Sequence, residues 1–359
     1  MARFYKITPK GKVTTLYSFC AQQNCADGSA PLAPLIQAFD RNFYGTTSAN
    51  ALNGGGTVFK ITPTGQLTTL YSFCQQLPGC TDGASPSAGL VQGIDGSLYG
   101  TTVGGGAHGW GTVFKVTLRG ILTTLHSFAG PPTDGGNPCG GLARGSDGTF
   151  YGTAYQGGIG SCSSGCGTVF KITRDGAFTT LHTFNGPDGM LPVAGLVQAT
   201  DGNFYGMTTG GGSYSAGTIF TISPNGALDT LHSFCSQSNC DDGSAPFGAL
   251  FQATNGTLYG TTSYGGKDND GTVFSLSVGL SPFVAFVHDS GKIGSKVEIL
   301  GQGFTGTSAV SFNGMAANFV VHSDTYLTAT VPSSATTGFV TVAAPGGTLQ
   351  SNKQFRVGK

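Results

Sequence analysis

The stretch Asp95-Gly96-Ser97-Leu98-Tyr99-Gly100-Thr101-Thr102, followed after a glycine-rich insert by Gly111-Thr112-Val113-Phe114-Lys115-Val116-Thr117, recurs with small changes five times in this chain. The tetrapeptide Gly-Thr-Val/Ile-Phe opens at Gly56, Gly111, Gly167, Gly217 and Gly271, so its spacings by subtraction are 55, 56, 50 and 54 residues. Periods of about this length belong to propellers and solenoids.

Each repeat carries four short strand candidates separated by turn chemistry, the count that a propeller blade needs. The first strand is Leu90-Val91-Gln92, and its copies begin at Leu35, Leu142, Leu196 and Leu250. An Asp-Gly turn follows at Asp95, Asp147 and Asp201, with Asn255-Gly256 in the last repeat and Asp40-Arg41 in the first. Such dipeptides supply the positive φ angles of a tight hairpin. Leu98 to Thr102 is a second strand, Thr57 to Thr62 a third and Leu67 to Phe73 a fourth, all rich in β-branched and aromatic residues. Pro63-Thr64-Gly65 joins the third strand to the fourth. No segment shows a 3.6-residue apolar period, so almost no helix is expected. The glycine runs at Gly104 to Gly106 and Gly210 to Gly212 read as blade-edge loops; no helix N-terminus follows them to make a phosphate cradle.

The count gives an all-β fold: a β-propeller of five four-stranded blades, with six as the alternative. The fifth repeat has no fourth strand of its own. Val13 to Phe19 is expected to supply it and close the ring, leaving Phe4 to Thr8 surplus. After Ser277 the texture changes to short alternating strands over residues 281–358, which suit a small immunoglobulin-like β-sandwich. The expected domains are therefore residues 1–278 and 279–359.

Composition narrows the partners. With 17 acidic and 17 basic residues in 359, net charge is zero and nothing marks a nucleic-acid footprint. No apolar run approaches the ~18 residues of a membrane helix, and Met1 to Lys6 lacks a signal-peptide layout. The nine cysteines nevertheless point to export. Cys20 and Cys25, Cys74 and Cys80, and Cys235 and Cys240 fall at one place in their repeats, and two other repeats lack both members together. Pairs that come and go together read as short disulfides, as do Cys162 and Cys166. Cys139 is left over, either buried or paired outside the chain. A missing leader and an oxidising compartment agree if the natural start lies upstream of Met1, which falls mid-repeat.

The Asp-Gly-x-Leu/Phe-Tyr-Gly-Thr-Thr, Gly-Thr-Val-Phe-Lys-Ile-Thr and Leu-Thr-Thr-Leu-Tyr/His-Ser-Phe units resemble the bacterial extracellular GloVer tandem repeat over about residues 1–278. Their strand order is similar to that of NHL-type propeller repeats. Gly294, Val297-Glu298-Ile299, Gly301-Gln302-Gly303-Phe304, Phe312-Asn313-Gly314 and Val331-Pro332 resemble an IPT/TIG immunoglobulin-like domain over residues 281–357. The resemblance implies a secreted or surface-attached bacterial protein and carries no catalytic residue with it.

A second recurring loop, Asp-Gly-x-x-Pro, starts at Asp27, Asp82, Asp134, Asp188 and Asp242. Its aspartate suits an Asx-turn that caps backbone amides; one carboxylate per loop is far from a calcium shell. Glycoside hydrolysis needs two placed carboxylates, and the only glutamate is Glu298 in the tail. His126, His182 and His232 hold the position of Tyr17 and Tyr71, a half-buried strand role. No catalytic residue, metal site or cofactor is assigned. For ligand binding the candidates are Trp110, which could stack on a sugar or plug a gap, its neighbour His108, and a row formed by Gln37, Gln92, Gln198, Gln252 and Arg144, which could line a channel mouth or brace the scaffold. The working expectation is a non-catalytic surface module recognising glycan or protein. A polysaccharide-degrading hydrolase or lyase and a purely structural envelope component are the alternatives.

Overall fold

A computed structural model describes residues 2–76, 78–158 and 162–358. Among them no α-helix occurs, and the only helical turns are the 3-10 turns Gln23–Cys25 and Ser238–Cys240. Two compact units divide the chain, one of Met1–Gln198, Phe204–Ala249 and Thr261–Thr272, the other of Ala199–Asn203, Leu250–Gly260 and Val273–Lys359.

Four repeats each fold as a four-stranded antiparallel sheet with strands in chain order. In repeat 2 these are Val91–Gln92, Leu98–Thr102, Thr112–Val116 and Leu122–Ser127. Repeats 1, 3 and 4 copy it, beginning at Ile36, Ala143 and Val197. In repeat 5, Phe251–Gln252, Leu258–Tyr264 and Val273–Leu276 pair in sequence, and Ser244–Pro246 lies along the second strand as Ala84 lies beside Gly104 in repeat 2.

The register explains why the motif reads as it does. Gly100 faces Phe114 across the sheet, and a Cβ on Gly100 would occupy the space of the Phe114 ring. The same glycine and phenylalanine oppose one another at Gly45 and Phe59, Gly152 and Phe170, and Gly206 and Phe220. A ring laid over a bare backbone fills the hole that glycine would otherwise leave in the sheet. The glycine that opens each third strand has a different role: Gly111 holds φ +93, and a Cβ there would meet the carbonyl of Thr102 and the ring of Pro138 in the next repeat.

Successive sheets stack face to face. One face of repeat 2 presents Tyr99, Val113 and Phe128, which join Leu142, Phe150, Phe170 and Ile172 of repeat 3 in one buried cluster. The same positions build the cluster between repeats 1 and 2 and that between repeats 3 and 4. Tyr99 stacks on Phe150 at 4.1 Å and Tyr151 on Phe204 at 3.9 Å, while Phe73 meets Phe114, Phe128 meets Phe170 and Phe184 meets Phe220 edge-on at 5.1–5.3 Å. Such aromatic pairs add about 1 kcal/mol each beyond area burial, so the periodic aromatics set the register of the stack.

Val13–Ser18 does not complete another repeat. It pairs with Arg3–Ile7 as a two-stranded sheet of their own, and Phe4, Tyr17 and Phe19 cover Phe59 and Ile61 of repeat 1. The expected closure by Val13 to Phe19 is therefore corrected, and Phe4 to Thr8 is not surplus. The turn at Thr8 to Lys12 brings its two neighbours together locally, at far smaller entropic cost than closure across the length of the chain. Residues beyond 284 form an immunoglobulin-like sandwich of two four-stranded sheets, with Val297, Ile299, Phe312, Leu327, Val340 and Val342 in its core.

Candidate functional site

The fourth strand contains a β-bulge in every complete repeat: in repeat 2 the register slips between Thr124 and His126, leaving Leu125 unpaired. Equivalent slips occur in repeats 1, 3 and 4. A bulge re-aims the side chain that follows it, and here that residue reaches the aspartate of the Asp-Gly-x-x-Pro loop. Tyr71 Oη donates to Asp82 at 2.9 Å and Tyr17 Oη to Asp27 at 2.7 Å. His126, His182 and His232 place Nε2 2.8, 2.7 and 3.0 Å from Asp134, Asp188 and Asp242. The aspartates also accept backbone amides upstream, such as Gln75 and Gln76 on Asp82, so they cap the loop as the sequence suggested. Sequence reasoning missed the partner. Its signal is that a Tyr or His in the fourth strand always precedes such an aspartate by 6 to 11 residues.

Burial disfavours ionisation of Asp27, but the Tyr17 hydroxyl and the amides of Ala21 and Gln22 together outweigh it and hold the carboxyl below its usual range. Burial, with the same contact, pushes Tyr17 up to about 12. Each of these carboxylates accepts from protein donors and so caps its loop.

The capped loop in turn builds one edge of each repeat. Ser29 bridges Ala49, Ala84 bridges Gly104 and Met190 bridges Gly210, while Gly135–Gly136 pairs with Gln156–Gly157. Thus the loop before the first strand and the loop between second and third strands lie side by side. Adjacent repeats are strapped there as well: Ser85, Asn137, Leu191 and Ala245 donate their amides to Gly55, Trp110, Cys166 and Ala216 of the preceding repeat, all at 2.7–2.8 Å. Disulfides Cys20–Cys25, Cys74–Cys80, Cys162–Cys166 and Cys235–Cys240 close loops along this edge.

What varies is the loop tip. Asn53, His108, Tyr214 and Asp268 occupy one position in the motif, with Leu52 one residue before it in repeat 1, all exposed, on backbones pinned by the like bridges Asn50–Gly55, Gly105–Trp110 and Gly211–Ala216. The matching loop of repeat 3 includes residues 159–161, which lie outside the described residues. Leu52 and Tyr214 are 76% and 55% exposed, unusual for residues of their size.

Trp110 sits at the base of the same edge. It is half-buried against the repeat 2 and 3 cluster, and a Cβ added to Gly130 or Gly136 would collide with its indole. The structure places the glutamines elsewhere, on the first strands. Gln92 Oε1 accepts the amide of Phe39 and Gln198 Oε1 that of Ser146, while Gln252 Nε2 donates to Thr200. Each reaches the preceding repeat. Gln37 donates to the carbonyl of Arg41 within its own turn, and Arg144 is half-buried in repeat 3. His108 and Trp110 lie two residues apart on one loop, whereas the glutamines and Arg144 lie on the first strands. Cys139 donates its thiol to the Asn137 carbonyl at 3.3 Å, and burial pushes its pKa up. Among the described residues no cluster of three or more metal-ligating side chains occurs, and no helix is long and apolar enough to cross a membrane.

Comparison with known families agrees with the repeat. The Gloeobacter/Verrucomicrobia repeat matches residues 3–163 and 133–318, and the IPT/TIG domain matches residues 282–357. No curated protein sequence matches. Among solved structures, the periplasmic gluconolactonase of Pseudomonas aeruginosa is 16% identical, covering 99% of this chain and 92% of that one, with a TM-score of 0.44. A fungal alcohol oxidase of the AA5 family, in complex with copper, is 14% identical over 90% of this chain and 75% of its own, with a TM-score of 0.45. The endo-arabinase of Bacteroides thetaiotaomicron is 13% identical over 71% of this chain and 96% of its own, with a TM-score of 0.38. At such identities and TM-scores none of their activities transfers.

Proposed function

The chain belongs to the Gloeobacter/Verrucomicrobia repeat family and carries an IPT/TIG domain, and from that premise we propose that it is a secreted or cell-surface binding module that recognises glycan or protein without catalysis. The repeat propeller is assigned to residues 1–278 and the sandwich to residues 279–359. The observation that carries the reading is the contrast along one edge: a repeated backbone, strapped from repeat to repeat, presents exposed tips that differ, Leu52, His108 and Tyr214. A rigid scaffold with varied exposed loops is the usual way in which recognition is built. Aromatic, imidazole and aliphatic tips in repeats 1, 2 and 4 suit sugar faces or polar protein surfaces, and Asp268 adds a charged tip in repeat 5. Four short disulfides along that edge fit an oxidising compartment outside the cytoplasm.

The aspartates of the Asp-Gly-x-x-Pro loops accept from Tyr or His and from backbone amides, the contacts that a loop cap makes, and this supports the binding reading. A glycan array and a pull-down from envelope extracts test the reading, run beside a reducing-end assay on mixed polysaccharides. Capture without turnover is expected; turnover of a polysaccharide would replace this reading with the hydrolase or lyase one.

A further inference from the structure

In the seams between repeats 1 and 2 and between repeats 3 and 4, the first strand of the later repeat ends in a glutamine that reaches back. Its Oε1 accepts an amide from the turn after the first strand of the earlier repeat: Gln92 takes that of Phe39 at 3.0 Å and Gln198 that of Ser146 at 2.8 Å. Its Nε2 donates to a second group, the Gly96 carbonyl for Gln92 and the Ser146 hydroxyl for Gln198. Each seam is thus closed by a side chain that both accepts and donates.

Repeat 3 has Arg144 at this position, and the matching amide of repeat 2 belongs to Ile94. A guanidinium carries donors only. Among the described residues the Arg144 side chain makes no hydrogen bond or ion pair, and the Ile94 amide has no acceptor. The packing of this seam is nevertheless the ordinary one. Tyr99 stacks at 4.1 Å on Phe150, the cross-strand partner of Arg144, as Tyr151 stacks at 3.9 Å on Phe204, the cross-strand partner of Gln198. Nor does a neighbouring carboxylate stand in. Asp95, next to Ile94, is held by Lys115 at 2.7 Å and by the Tyr99 hydroxyl at 3.0 Å, and Asp147, in the turn after Arg144, by the Tyr151 hydroxyl and the Thr149 amide. A half-buried cation is left without a counterion, which costs free energy until one is supplied.

We propose that the seam between repeats 2 and 3 binds a carboxylate from outside the chain, one oxygen accepting the Ile94 amide and the other the Arg144 guanidinium. The two equivalent seams identify the group: each places a planar carbonyl oxygen on this amide, and a carboxylate supplies the same planar oxygen together with the charge that the flat guanidinium fork matches. A tetrahedral sulfate or phosphate lacks that plane. Each first strand runs from the capping loop to this turn, so the site lies at the opposite end of the strands from the loop tips. It rests on different residues from the tips and stands or falls apart from recognition there.

The test is nuclear magnetic resonance of the intact chain, isotope-labelled on isoleucine and arginine nitrogens and titrated with methyl galacturonide, N-acetylglutamate, neutral methyl galactoside and sulfate. The Ile94 amide, assigned through Ile94→Val, and the Arg144 Nε signal should move together and saturate with carboxylate. Response to both acids shows that the carboxylate alone is read; response to the galacturonide alone makes its source an acidic sugar, and to N-acetylglutamate alone an acidic peptide. Arg144→Gln installs the residue of the other repeats, so folding should be retained, and circular dichroism checks it. In that variant the Ile94 amide should be shifted before any ligand is added, and carboxylate affinity should fall at least about tenfold. Signals that neither acid moves, an equal response to methyl galactoside or sulfate, or unchanged affinity in Arg144→Gln would overturn the proposal.

Discussion

The phenol of Tyr71 donates to the carboxylate of Asp82 at 2.9 Å, and His232 makes the equivalent contact with Asp242 at 3.0 Å. Two different side chains thus do one job at one place in the repeat. Asp82 is 1% exposed and also accepts the amides of Gln75 and Gln76. Asp82→Ala leaves buried donors without a partner and should cost about 3 kcal/mol in urea denaturation. Tyr71→Phe should cost about 1 kcal/mol, and Tyr71→His less than that, because histidine already serves in three repeats. A Tyr71→His variant as unstable as Asp82→Ala would show that the contact is incidental.

Stability should decline at both ends of the pH scale. Asp27, Asp40, Asp95 and Asp242 are held below their usual range: burial opposes ionisation, and donors from side chains and backbone prevail. A depressed folded pKa stabilises above the unfolded value of 3.8 and is lost as pH falls through the folded one. Tyr17, raised from 10.0 to about 12 by burial and by Asp27, contributes below pH 10 and loses that contribution as pH rises through about 12. Thermal unfolding followed by circular dichroism should show a plateau between these limits. A midpoint that keeps rising as pH drops below 3.8 would contradict it.

Repeat 3 contains a defect that can be repaired. Thr102 and Thr112 share a hydroxyl contact at 2.8 Å, and Thr47 and Thr57, Thr208 and Thr218, and Thr262 and Thr272 do likewise at 2.8–2.9 Å. Opposite Thr168 stands Ala154, and Thr168 Oγ1 is buried without a partner. Ala154→Thr should stabilise the chain by about 1 kcal/mol, read as a higher unfolding midpoint. An unchanged or lower midpoint would mean that Gly135, which lies against this pair, leaves no room.

How much of this could be read from residues alone depends on how local each interaction is. The strands of each repeat were legible because Gly100 and Phe114 must face one another for the ring to fit, so the same glycine and phenylalanine recur in every copy, with only the loop between them longer in repeat 3. The loop capping by Asp82 was legible in part: its amides lie close in sequence, but Tyr71 reaches it only across a bulge that strict alternation does not reveal. Pairing of Val13–Ser18 with Arg3–Ile7 was missed because counting strands gave Val13 to Phe19 to the fifth blade and left Phe4 to Thr8 surplus, whereas chain connectivity favours the neighbour across a short turn. The glutamine row reads equally well as channel lining or as brace until Gln92 is seen on the Phe39 amide.

The short disulfides should be modest staples. Replacing Cys74 and Cys80 together removes a loop worth about 2 kcal/mol in the chain-entropy account. Both residues hold left-handed backbone, φ 67 and φ 52, so the double glycine variant should unfold at a higher temperature than the double alanine. The reverse order would show that unfolded-state freedom outweighs relief of the backbone.

The division of labour between a constant scaffold and variable tips is tested most directly by the triple variant Leu52→Ala/His108→Ala/Tyr214→Ala on the glycan array and pull-down that the wild-type chain defines. All three side chains are exposed, so the unfolding midpoint should stay within about 0.5 kcal/mol of wild type. Capture of the wild-type ligands should be lost. Undiminished capture by the triple variant would contradict recognition through this edge.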